Sequence, residues 1–110
     1  MTKKIIFADK QFEKIIRDAL NKSDGDITSE DMSGIKRLYI GHTNLLDISP
    51  AEYCLELESI MIEESEIDLR PFSELPKLRL LDITAPTENE LKDLELFKNL
   101  RSLSVFAIGG

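Results

Sequence analysis

The stretch IKRLYIGHTNLLDISPAEYCLE, residues 35–56, decides how the chain is read, because its apolar pattern returns three more times. LESIMIEESEIDLRPFSELPK (57–77), LRLLDITAPTENELKDLELFKN (78–99) and the shorter LRSLSVFAIGG (100–110) follow it. The leading residues Ile35, Leu57, Leu78 and Leu100 are spaced by 22, 21 and 22 residues. Leu38, Ile60, Leu81 and Leu103 keep that spacing, as do Ile40, Ile62, Ile83 and Val105. Ile48, Leu69 and Leu91 form a fourth column, and Cys54, Leu75 and Phe97 close each unit as a fifth. Self-similarity at a fixed period of this length marks a stack of supersecondary units, none of which can bury its apolar face alone.

These residues resemble the leucine-rich repeat, in its roughly 22-residue bacterial, internalin-like form. The resemblance implies an α/β chain folded as a short leucine-rich-repeat solenoid. A parallel β-sheet would line its concave face, return segments with 3₁₀ turns its convex face, and an α-helical N-terminal cap its first end. It places the cap at residues 1–34 and the repeats at 35–56, 57–77, 78–99 and, in part, 100–110, all in one domain. The family's asparagine, five residues after the first strand leucine, is replaced here by Thr43, Ser65 and Pro86. Threonine and serine keep part of its hydrogen bonding, but proline offers no side-chain donor. The TAPTENE run, residues 84–90, is therefore expected to turn irregularly as a looser loop. The resemblance also shows no C-terminal cap, which leaves an unpaired sheet edge near Leu103–Val105. Three outcomes stay open there: a fragment of a longer repeat protein, a homodimer through that edge, or a tail folded back over it.

Ahead of the repeats, Phe12, Ile15, Ile16, Ala19 and Leu20 recur at helical spacing from about Asp9 to Asn21. Asp9 suits the N-cap, and Gly25 the left-handed residue that ends the helix. The following KSDGDITSEDM, residues 22–32, has the acids and glycine of a calcium loop but not their order. With Gly25 at the sixth position of such a loop, Lys22 and Leu20 fall where oxygen ligands are required. Thr28-Ser29-Glu30-Asp31 instead places a hydroxyl three residues before a carboxylate, a capping box for a short second helix. Ile27 then points inward.

Composition bounds the function. The 110 residues are 42% hydrophobic and 32% charged, enough for one modest core. A net charge of −7 lacks the basic footprint that nucleic acid or an anionic membrane requires. It suits a basic protein partner. No apolar run is long enough to span a bilayer, and Ile5–Ala8 is too short for a signal peptide's apolar region. The single cysteine, Cys54, permits no internal disulfide. A cytoplasmic location is expected.

Catalysis is not expected. His42 is the only histidine and has no second histidine or cysteine at ligand spacing. Cys54 falls in a core column, where a thiol is a poor nucleophile. No glycine-rich loop is present to hold phosphates. Neither a metal nor a cofactor is called for.

Binding is expected on the residues that alternate with the buried leucines. The candidates are Arg37, Tyr39, Met61, Glu63, Leu80, Asp82 and Phe106, with Tyr39, Met61 and Leu80 forming an apolar diagonal of the kind enriched at protein interfaces. Four strands at ~4.8 Å spacing expose a face of roughly 300–400 Å², below the ~800 Å² that each partner gives a standard interface. Flanking loops must then contribute, among them Gly41–Asn44 and the acidic Glu63–Glu66. The functional expectation is a non-catalytic protein–protein interaction module. The alternatives are an antidote-like inhibitor of a basic enzyme or toxin, and the structural N-terminal part of a larger repeat protein.

Overall fold

A computed structural model of the protein describes residues 3–106. The outermost residues of the expected cap (1–2) and of the expected last repeat (107–110) lie outside the described residues. Helix α1 spans Lys10–Leu20 and α2 spans Ser29–Ser33. Strand β1 (Arg37–Gly41), a 3₁₀ turn (Ser49–Tyr53), β2 (Ser59–Glu63), α3 (Arg70–Ser73) and β3 (Leu80–Thr84) follow. Helix α4 (Glu88–Asp93), a second 3₁₀ turn (Leu94–Leu96) and β4 (Ser102–Phe106) come last among the described residues.

The four strands form one parallel sheet in the order β1-β2-β3-β4. Its register sets Leu38 beside Ile60, Leu81 and Leu103, and Ile40 beside Ile62, Ile83 and Val105. Alternation along each strand sends these two columns into the core and the residues between them to the open face. The sheet's inner face is covered by the 3₁₀ turns and the short helices, whose Ala51 and Phe72 are fully buried and whose Leu94 packs against the core.

The expected leucine-rich-repeat solenoid is corrected: the chain is a small compact α/β domain built on a four-stranded parallel sheet. Its radius of gyration is 13.5 Å, close to the ~13 Å of a compact globular chain of this length. The segments between strands are not equivalent layers either. One is a 3₁₀ turn, the next a short α-helix, and the third an α-helix running into a 3₁₀ turn.

The third of these segments departs furthest from expectation. TAPTENE is no loose loop, because Thr87 and Glu90 form a complete capping box that starts α4. The start of α4 also displaces the expected core residue: Leu91 is 45% exposed and Glu90 is buried in its stead. Glu90 is held by two backbone donors, Thr87 N–H at 2.7 Å and Ile67 N–H at 3.2 Å, one on each carboxylate oxygen. Burial raises its pKa, against the lowering effect of those donors.

At the other end, Asp9 caps α1 by accepting from the Gln11 and Phe12 N–H groups. Its second oxygen accepts from Leu46 and Asp47, which fastens α1 to the segment beyond β1. Burial alone would raise the Asp9 pKa, but the four N–H donors outweigh it and hold the carboxyl below its ordinary value. Asn21, not Gly25, is the left-handed residue that ends α1, with φ 54°. Gly25 turns the chain four residues later with φ 81°, where Arg17 donates to its carbonyl. The Thr28–Asp31 capping box starts α2, and Asp31 also pairs with Lys22 at 3.1 Å.

After each of the first three strands the chain turns through a left-handed residue that is not glycine: His42, Glu64 and Ala85, with φ of 54°, 46° and 53°. Each turns its N–H to the neighbouring strand, on Glu63, Thr84 and Phe106 respectively. Ser65, buried behind the second turn, accepts from Thr43 N–H and donates to the Glu63 carbonyl.

Candidate functional site

The open face of the sheet and the outer side of α1 enclose a trough of about 760 Å³. Arg37, Tyr39, Met61, Leu80 and Asp82 line its floor, and Lys14, Ile15, Asp18 and Ala19 of α1 form its wall. Register explains the floor. Tyr39 stands directly beside Met61, and Leu80 lies one position diagonally on, beside Ser59. All three apolar side chains are exposed, Tyr39 by 53%, Met61 by 42% and Leu80 by 38%. The charges around them are mixed: Lys14 and Arg37 against Asp18 and Asp82.

Tyr39 is held in a fixed pose. Its hydroxyl donates to Glu63 at 3.2 Å, and its ring lies over Gly41, where a Cβ would come within 2.6 Å of the ring carbon Cζ. Burial, and then Glu63, raise its pKa, so the hydroxyl stays a donor. On the rim, His42 stands 3.8 Å from Glu63 and 3.7 Å from Glu64. The wall is fixed to the floor at one end by the Thr43 hydroxyl, which donates to the Gln11 side-chain carbonyl.

Five of the seven residues singled out from the sequence therefore meet in one place. Glu63 acts beside them, orienting Tyr39 from the rim. Phe106 does not join: it lies on β4, in the column of Gly41, Glu63 and Thr84, three strands from β1. The wall residues of α1 escaped the sequence reading. Ile15 and Ala19 sit four apart at the margin of the helix's apolar stripe, and Ala19 is exposed. Their spacing was the one available signal.

The arrangement offers shape and apolar contact among mixed charges. Cys54 is fully buried, which pushes its thiol up to about 12 and leaves it a poor nucleophile. Among the described residues no group of three or more His, Cys, Asp or Glu could hold a metal ion. No helix among them is long and apolar enough to cross a membrane.

No family model matches the chain, and no curated protein matches it. Solved structures do. The structure of CBM51-2 and INT domains from Clostridium perfringens ZmpB is 33% identical over 76% of this chain, with a TM-score of 0.65. The structure of those domains with CBM51-2 in complex with GlcNAc gives 33% identity over the same share and a TM-score of 0.66. This chain spans 18% of the length of each of those chains. The likeness is to domains described by those names and not to a leucine-rich-repeat solenoid, which is the second finding against the expected fold class. Neither description names a catalytic domain.

Proposed function

We propose that the chain is a non-catalytic binding module that takes a protein partner into the trough between α1 and the sheet. One observation carries this reading: Tyr39, Met61 and Leu80 stand exposed side by side on a rigid floor, with a charged wall beside them. Clustered aromatic, methionine and leucine side chains ringed by polar groups are the composition of a binding hot spot. The partner presents an apolar cluster to the floor, and basic groups toward Glu63, Glu64 and Glu66 on the flank, which a net charge of −7 favours.

A pull-down from the source cell's lysate with wild type and a Tyr39→Ala/Met61→Ala/Leu80→Glu variant tests this. A protein retained by wild type and weakened at least about tenfold by the folded variant supports the reading. Equal retention by both, or by neither, overturns it.

A second reading, a sugar ligand, is favoured by the Tyr39 ring. The hydroxyl end of the ring packs against Gly41, and the side chain stays exposed near Arg37 and Asp82, which leaves ring surface open to stacking. GlcNAc, the ligand named in the similar structure, is the probe. Shifts of the Tyr39 ring resonances on adding GlcNAc would transfer the trough to this reading.

A further inference from the structure

The last strand, β4, presents a surface separate from the trough. In β1, β2 and β3 the core-facing residues of the two leucine columns are at most 4% exposed, whereas Leu103 is 47% and Val105 42% exposed. The backbone repeats this contrast. Ser102 N–H bonds to Arg79, and the Phe106 carbonyl accepts from Ala85, so both residues direct their polar groups at β3. Alternation then turns the N–H and C=O of Leu103 and Val105 outward, away from the sheet.

Natural edge strands are guarded by lysine, proline, a bulge or an inward charge. The sequence SLSVF of β4 contains none of these. It is also self-complementary. Turned about a two-fold axis through Ser104, Leu103 of one copy faces Val105 of the other. Such a pair exchanges both of its hydrogen bonds, which satisfies all the outward groups of both residues.

Charge selects the same arrangement. At the start of β4, Lys98 and Arg101 are exposed and make no ion pair among the described residues. At its far end, Glu88 is exposed three residues beyond Ala85, whose N–H reaches Phe106. An antiparallel pair sets the basic end of each copy against the acidic end of the other.

We propose that a second copy of this chain adds its β4 antiparallel to this β4, about a two-fold axis at Ser104, joining two four-stranded sheets into one of eight strands.

The Ser104→Cys variant tests the register. In a pair centred on Ser104 the two Cα atoms stand about 4.5 Å apart, within the span of a disulfide, while Cys54 is buried and cannot compete. Under native oxidation Ser104→Cys is expected to form a covalent dimer, and wild type is expected to sediment at twice the 12.5 kDa chain mass. Val105→Pro removes one outward N–H without touching the β3–β4 ladder, and is expected to return the mass to that of the single chain with unchanged circular dichroism. Wild type sedimenting as a monomer at roughly 100 µM, a weak-association concentration, overturns the proposal. So does a wild-type dimer whose Ser104→Cys variant stays uncrosslinked, or a folded Val105→Pro that remains dimeric. The first two measurements decide the matter even where the proline variant unfolds.

Discussion

The two ends of the sheet carry nearly the same strand and meet opposite environments. At one end Leu38 and Ile40 of β1 are 4% and 0% exposed; at the other, Leu103 and Val105 of β4 are 47% and 42% exposed. Both pairs belong to the same register columns. The difference is α1 and α2, which lie over the first end, with Phe12, Ile16 and Met32 filling the space above β1. Burial of a terminal strand is thus set by what covers it and not by its own alternation.

The most direct way to break the comparison is to truncate the same residue at both ends. Leu38→Ala should cost about 2–5 kcal/mol, since it opens a cavity in a closed core. Leu103→Ala should cost only about 1 kcal/mol in dilute protein, because half of that side chain already meets solvent. Urea denaturation of the two variants checks this, and equal losses would refute the role given to the lid.

A smaller effect follows from unfastening the lid. Asp9→Ala removes the cap of α1 and leaves the Leu46 and Asp47 N–H groups without their carboxylate, a loss of about 2 kcal/mol. The same residue gives a pH signature. Its folded pKa is lowered, so its stabilisation is present above the ordinary aspartate pKa of about 3.9 and is lost as pH falls through the folded value. The gap between wild type and Asp9→Ala should therefore narrow below about pH 4, as read from thermal midpoints across that range. Asp31, lowered first by its Thr28 N–H and then by Lys22, adds a slope of the same sign in both proteins.

The smallest effect sharpens the view of the open end. Ala85 turns the chain after β3 with φ 53°, a conformation that glycine adopts without a side-chain penalty. Ala85→Gly should stabilise by about 0.5–1 kcal/mol. A loss in the same denaturation assay would show that the alanine methyl supports the turn.

Much of this was legible because strand register and sequence period coincide. Leu38, Ile60, Leu81 and Leu103 were aligned by spacing alone, and the sheet pairs them. The column Ala51, Phe72 and Leu94 keeps the same spacing and went unread, since a small residue at its head masks the pattern. Elsewhere local chemistry overrode the period. The Thr87–Glu90 capping box fixes where α4 starts, and this turns Leu91 outward and Glu90 inward. Asn21 took the left-handed cap because a side-chain amide tolerates that conformation nearly as glycine does. The floor of the trough followed from alternation on the strands. Its wall did not, because the side that α1 shows to the sheet is settled only by packing.

The uniform register has a kinetic meaning. Every strand pairs with one that lies 21 or 22 residues away, so adding each strand closes a loop of nearly the same length, at about 2.7 kcal/mol of chain entropy plus a constant. Loop closure then gives no pair a head start, and the order of assembly falls to packing. The tightly filled layers of β1, β2 and β3 form first, and β4, which gains the least burial, joins last and leaves first. In dilute protein, where the single chain prevails, the amide hydrogens of β4 should be the first in the sheet to exchange with solvent.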